Sequence, residues 1–177
     1  LIFLIIIQTY DTSAIGIFRQ KRVGQNGNLF YLYKIRTMIK SKDYLTNVTT
    51  SNDRRITRNG KLLRRYKLDE LPQFFNVLLG DMSIVGPRPD VPEFINIIPK
   101  DQRNILLSFK PGITSPSSLE LIDEEEILSK VQFPEKYNIE VIWPEKFRLT
   151  QEYINNFSFI NDIFIIFKFF YFIIKKI

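Results

Sequence analysis

Two strongly apolar stretches, Leu1 to Ile7 at one end and Phe157 to Ile174 at the other, bracket a chain whose middle is rich in arginine and lysine. Surface of that kind has to be covered, by a protein core or by lipid, and this limits the folds open to the chain. As a helix, Leu1–Ile7 covers only ~10 Å of a ~30 Å hydrocarbon core, too little to span it. It reads as the tail end of a membrane-embedded helix, with a buried strand as the alternative by length and residue type. The chain starts without methionine, so residues upstream are expected. No basic segment precedes the run and no small-residue cleavage site is evident, which argues against a signal peptide. The C-terminal stretch carries Asp162 and Lys168 inside it and ends in Lys175 and Lys176. A helix lying in the membrane interface or packed into the protein fits this better than a spanning one, and the lysine pair favours anionic headgroups.

Between the ends, 177 residues suffice for one domain with a substantial core. Ile17 to Val23 and Asn28 to Arg36 flank Gly24-Gln25-Asn26-Gly27, and the Asn-Gly pair predicts a β-hairpin with basic residues along it. Ser41 to Asn52 is polar and reads as a loop able to act as a lid. Asp53 to Lys67 is densely basic, with a short helix predicted around Gly60-Lys61-Leu62-Leu63. In Leu68 to Pro89, Leu71, Phe74, Phe75 and Leu78 recur at i, i+3, i+4 and i+7, which predicts a helix of about two turns with that face buried. Asp69 and Glu70 are then expected in its first turn, beside free N–H donors, and Gly80 at its end. Further helices are predicted over Val91–Ile98, Asp101–Phe109, Asp123–Lys130 and Glu145–Asn155, and a loop over Lys110–Thr114.

The net charge of +6 points to an anionic partner: nucleic acid, a nucleotide diphosphate or an acidic bilayer. The chain has no cysteine and no histidine, so thiol catalysis, imidazole bases and the usual zinc sites are excluded. Carboxylates, Lys, Arg, Tyr, hydroxyls or a hard metal bound by oxygen must carry any chemistry. Glu124, Glu125 and Glu126 could bind metal, but acids that complement the dipole at an exposed helix start are the better explanation of them.

The ordered set Arg22-Val23-Gly24, Lys34-Ile35-Arg36-Thr37-Met38, Leu68-Asp69-Glu70-Leu71-Pro72-Gln73, Asn76-Val77-Leu78, Gly80-Asp81-Met82-Ser83, Val85-Gly86-Pro87-Arg88-Pro89 and Pro111-Gly112-Ile113-Thr114 resembles the bacterial sugar transferase family. These are monotopic polyprenyl-phosphate phosphoglycosyl transferases. The resemblance implies transfer of a sugar-1-phosphate from a UDP-sugar to a polyprenol phosphate, such as undecaprenyl phosphate, at the cytoplasmic face of the inner membrane. It implies Asp69 as nucleophile, forming a covalent phosphosugar and releasing UMP, and Glu70 as the ligand of Mg2+. Arg64 and Arg88 match family positions expected to bind phosphate, as do the basic positions Lys34 and Arg55. Two segments depart from the pattern. At most the last part of the family's proline-broken membrane helix is present, within residues 1–10, and Thr114-Ser115-Pro116-Ser117-Ser118 replaces a common Thr-Gly-x-Ala-Gln.

The expected architecture is a single α+β domain over residues 1–177, mainly helical with a small β-hairpin, monotopic and membrane-associated. Its expected partners are a UDP-sugar, polyprenol phosphate and membrane lipid; a homo-oligomer is compatible with the sequence. A basic nucleic-acid-binding module is the first rival, from Arg54 to Lys67, but the aromatics lie in apolar runs rather than among the basic residues, so no nucleic acid is expected. A catalytically inactive membrane scaffold is the second, and retention of Asp69, Glu70, Lys34 and Arg88 together argues against it.

Overall fold

The structure, a computed structural model, describes residues 1–40 and 48–176. The expected lid segment lies largely outside them; its described remainder, residues 48–52, has neither helix nor strand. The N-terminal run is helical: α1 spans Ile2–Thr12 and ends at Ser13 in a left-handed conformation. The hairpin follows as β1 (Ile17–Val23) and β2 (Leu29–Ile35), antiparallel with Ile17 opposite Ile35 and Val23 opposite Leu29. Asn26 and Gly27 both have positive φ in the connecting turn (57° and 82°), which is why Asn-Gly serves there.

After α2 (Arg58–Arg65), capped by the Thr57 hydroxyl accepting from the Gly60 N–H, the chain makes a 3-10 turn over Leu68–Glu70 and then α3 (Gln73–Leu78). Asp69 and Glu70 therefore precede α3 instead of occupying its first turn. Gly80 ends this segment at φ 83°. The predicted burial of α3 is reversed: Phe74 and Phe75 are about half exposed and Leu78 is 82% exposed, while Gln73 and Asn76 are buried. Asn76 supplies the reason. Its Oδ1 accepts from the Tyr33 N–H (3.2 Å) and its Nδ2 donates to the Tyr31 carbonyl (2.7 Å), so one amide completes the open edge of β2. Leaving those strand groups buried and unpaired would cost more than exposing an apolar face.

The loop predicted at Lys110–Thr114 contains a strand instead. β3 (Ser83–Val85) and β4 (Gly112–Thr114) pair in parallel, Ser83 opposite Gly112 and Val85 opposite Thr114. Gly86 and Gly112 permit the approach; a Cβ on Gly112 would sit 2.1 Å from the Gly86 nitrogen. Such three-residue strands are too short for alternation to reveal them.

Between and after these strands come α4 (Pro92–Ile97), α5 (Lys100–Leu107), α6 (Pro116–Glu120), α7 (Glu124–Ser129), α8 (Pro134–Tyr137), α9 (Trp143–Asn155) and α10 (Phe159–Lys175). One core cluster joins Val23 to Ile95, Ile98 and Leu106; a second joins Phe30 and Leu32 to Met82 and Ile113; a third joins Val85, Leu119, Tyr153 and Ile165. In α10 the internal charges turn toward protein, Asp162 accepting from the Tyr153 hydroxyl (2.9 Å) and Lys168 pairing with Glu120 (2.5 Å). The opposite face exposes Ile160, Phe164, Phe167, Tyr171 and Ile174. Among the described residues no helix is long and apolar enough to cross a membrane.

Candidate active site

Sequence distant segments converge on the 3-10 turn. Lys67, with no glycine-like freedom, takes φ 55° just before it and thereby reverses the chain out of α2. Nothing in the sequence signals this left-handed lysine. The turn then buries two adjacent carboxylates, Asp69 and Glu70, with different surroundings.

Glu70 meets the cations. Lys34, near the end of β2, donates to its Oε1 at 2.9 Å, and Arg88 Nη2 approaches the same oxygen at 3.7 Å. Burial alone would raise the Glu70 carboxyl, but Lys34, then Arg88 and Lys67, outweigh it and hold the group well below the ordinary glutamate range. The Arg88 guanidinium, partly desolvated by its neighbours though its side chain is 38% exposed, is held in its ionised form by Glu70 and the nearby acids. The loop carrying Arg88 is rigid for identifiable reasons. Arg22 Nη1 donates to the Pro89 carbonyl (2.9 Å), the Val23 N–H donates to the Asp90 carbonyl (3.0 Å), and the Gly112 N–H donates to the Pro87 carbonyl (2.9 Å). Burial, then the adjacent Arg88, bring Arg22 itself down to about 10.

Asp69 lacks such a partner. Its Oδ1 is buried with no hydrogen-bond donor, and burial, then the Glu70 charge, push its carboxyl up against the opposing pull of Lys34, Lys67 and Arg64. A buried carboxylate oxygen left without a donor is uncommon and marks Asp69 as the candidate functional member of the pair.

The remaining candidates stand farther out. Arg64, on the last turn of α2, forms an ion pair through Nη2 with Glu125 Oε1 of α7, and its Nη1 donates to Thr37 Oγ1 (3.3 Å). Arg55 clasps Asp53 through Nε (3.0 Å) and Nη2 (2.6 Å). Thus the structure brings Lys34, Glu70 and Arg88 into direct contact beside Asp69, and turns Arg64 and Arg55 toward other carboxylates. The acidic start of α7 is used for ion pairing: Glu124 with Lys146 (2.7 Å), Glu125 with Arg64, Glu126 with Lys130 (2.6 Å). The roles of Asp53, Glu125 and Asn76 as partners of Arg55, Arg64 and the β2 backbone are set by folding, and only Asp53 and Arg55, two residues apart, carry a local hint.

Among the described residues no cluster of three or more acidic side chains could hold a metal unaided. The Asp69–Glu70 pair nevertheless suits Mg2+, which commonly takes one or two protein carboxylates and completes its shell with phosphate oxygens and water. Lys34 and Arg88 both address Glu70 Oε1, so Oε2 would be the oxygen to hold the ion, and Asp69 Oδ1 has no hydrogen-bond donor.

Comparison with known proteins identifies the family. The profile of the family described as bacterial sugar transferase matches residues 1–176. The uncharacterized sugar transferase EpsL of Bacillus subtilis (strain 168) is 33% identical over 163 residues, which is 92% of this chain and 72% of that protein. The undecaprenyl-phosphate galactose phosphotransferase of Salmonella typhimurium is 34% identical over 169 residues, 86% of this chain but 32% of the relative. The UDP-glucose:undecaprenyl-phosphate glucose-1-phosphate transferase of Xanthomonas campestris pv. campestris is 58% identical over 74 residues, 41% of this chain and 15% of the relative. The chain therefore spans most of the Bacillus protein and a third or less of the two longer ones.

Proposed function

The chain belongs to the bacterial sugar transferase family and is a phosphoglycosyl transferase, and from that premise we propose that it moves a sugar-1-phosphate from a UDP-sugar to undecaprenyl phosphate through Asp69. The observation that carries this reading is the contrast within the pair: Glu70 Oε1 is paired with Lys34 and approached by Arg88, while Asp69 keeps a buried oxygen without a donor. In the first step an Asp69 oxygen bonds to the sugar-proximal phosphorus. The bond from that phosphorus to the bridging oxygen breaks, and UMP departs with the electron pair. In the second step an oxygen of polyprenol phosphate attacks the same phosphorus and the Asp69 carboxylate leaves.

Lys34 and Arg88 lie where they can take up charge on the diphosphate oxygens, which lowers the repulsion an anionic nucleophile would otherwise meet. Arg64 is assigned a phosphate contact at the outer side, and Arg55 a weaker one. Mg2+, held by Glu70 together with substrate oxygens, would supply further charge neutralisation. The exposed apolar faces of α1 (Ile2, Phe3, Ile6), α3 (Phe74, Phe75, Leu78) and α10 support seating on the inner membrane, with the reaction at its cytoplasmic face.

The test is to incubate the full-length protein in bilayer nanodiscs with Mg2+, polyprenol phosphate and a panel of UDP-sugars, measuring UMP. One or more sugars should release UMP, and omission of the polyprenol phosphate should leave a phosphosugar adduct on the peptide containing Asp69 by mass spectrometry. UMP release that requires both substrates simultaneously, without any adduct, would refute the two-step route.

A further inference from the structure

Arg64 lies on the last turn of α2, five residues before Asp69, and its charge acts on the Asp69 carboxyl. A guanidinium grips a phosphate in the bidentate manner through either of two edges, Nε with Nη2 or Nη1 with Nη2. Both edges use Nη2, and Glu125 holds Nη2. Nη1 has a second, weaker engagement with Thr37 Oγ1 at 3.3 Å, whereas Nε is buried without a partner. The guanidinium is therefore partly satisfied, by one carboxylate oxygen at the nitrogen that any bidentate phosphate needs.

Glu125 is placed for such a role by more than its charge. Its own carbonyl accepts from the Ser51 N–H (3.0 Å), which fastens the start of α7 to the segment bearing Asp53 and Arg55. The backbone is anchored while the side chain, 41% exposed, has room to swing away. The flanking acids are engaged elsewhere, Glu124 by Lys146 and Glu126 by Lys130.

We propose that Glu125 is an affinity-setting residue of the donor site: its carboxylate occupies Arg64 Nη2 as an internal counter-anion that the diphosphate of the UDP-sugar must displace. This rests on the assignment of Arg64 to substrate phosphate. A singly coordinating carboxylate on a partly exposed arginine is a weak competitor, so a diphosphate can evict it. It also neutralises an arginine that would otherwise stand uncompensated in a basic stretch, and it sets a threshold that weaker anions meet less readily.

The experiment measures the Kd of uridine diphosphate, in Mg2+ buffer, for the full chain and for Glu125→Gln, Arg64→Ala and the double variant. Glutamine keeps the shape and the backbone bond to Ser51, and thermal unfolding checks that each variant is folded. Arg64→Ala should weaken binding by about 10-fold. Glu125→Gln should tighten it by about 2- to 5-fold, and should change nothing when Arg64 is already alanine. Glu126→Gln, an equal change of net charge one residue away, should leave the Kd unaltered. If Glu125→Gln weakens binding, Glu125 positions Arg64 and the proposal is overturned; equal tightening in the Arg64→Ala background overturns it as well, since only general charge would then be at work. A Kd unmoved by Glu125→Gln while Arg64→Ala weakens binding defeats this proposal alone. Wild-type binding by Arg64→Ala instead removes the phosphate role of Arg64, and the proposal with it.

Discussion

Lys34, Glu70 and Arg88 on one side, and Arg64 and Arg55 with their carboxylates Glu125 and Asp53 on the other, use the same ion-pair chemistry to different ends. In the first region the partners come from β2, the 3-10 turn and the loop after β3, and they meet at Glu70, while Oδ1 of the adjacent Asp69 has no donor. In the second, each arginine is matched by an acid from outside the Asp69–Glu70 motif, and the Arg64 pair is partly open to solvent. Buried pairs are expensive to break because the surviving charge has nowhere to go, whereas exposed pairs exchange partners at little cost. The Lys34–Glu70 pair, the most enclosed of the inner contacts, is thus built to persist, and the Arg64–Glu125 pair is built to change hands.

The largest expected effect within the inner region is on Asp69→Asn. Release of UMP should fall by more than about 1,000-fold, since the attacking oxygen's charge is gone while binding groups remain. Stability should move the other way. Burial raises the folded-state value of Asp69, so its contribution is complete below the unfolded value of about 3.9 and is lost as pH rises through the folded one. Asn at this site should therefore melt at least as high as wild type at pH 7, with the difference shrinking toward acid pH.

Glu70→Gln should invert that pattern. Its folded-state value lies below the ordinary one, so it stabilises above about pH 4.3 and loses that contribution as pH falls through the folded value. The variant leaves Lys34 and Arg88 without their carboxylate and should lose about 2–3 kcal/mol at neutral pH, with activity reduced strongly. Urea unfolding across pH 3 to 8 on both variants gives opposite trends if the two adjacent acids are as different as their surroundings. Parallel trends would mean that they share one environment.

Much of this architecture was legible in the sequence, and the parts that were not share a cause. Asn-Gly marked the hairpin, Gly80 ended its segment, and helix signals located α2, α4, α5, α7 and α9. Local rules govern those features. The face of α3 was misjudged because periodicity reports that Phe74, Phe75 and Leu78 share a side, and says nothing about what lies beyond it. Only the strand edge satisfied by Asn76 explains why the polar side turns inward. Likewise Asp69 and Glu70 stood out as a pair, but their unequal surroundings depend on Lys34 and Arg88 arriving from 36 positions before and 18 positions after Glu70. The β3–β4 pairing is also non-local, and it depends on two glycines meeting.

The exposed side of α3 offers an intermediate effect. Replacing Phe74 and Leu78 by serine should leave the melting temperature nearly unchanged, because neither is buried, while lowering partition into anionic vesicles by about 10-fold or more. A large fall in melting temperature would mean that this face is covered by protein.

The smallest kinetic effect belongs to Arg55, and it tests whether the outer region is uniform. Unlike Arg64, Arg55 engages Asp53 with two nitrogens, and its N–H also donates to Asp53 Oδ1 at 2.9 Å. The side chains of the pair are 16% and 6% exposed, so this clasp is more enclosed than the Arg64–Glu125 contact. Hydrogen bonding by Arg55 holds the Asp53 carboxyl below its usual range, so the pair stabilises above about pH 3.9 and weakens as pH falls. Arg55→Ala should cost about 1–2 kcal/mol of stability at neutral pH, yet raise the KM for UDP-sugar by less than about 3-fold. A KM increase as large as that of Arg64→Ala, with unchanged stability, would show that Arg55 exchanges Asp53 for substrate phosphate as freely as Arg64 exchanges Glu125, and the distinction between clasp and exchangeable pair would fail.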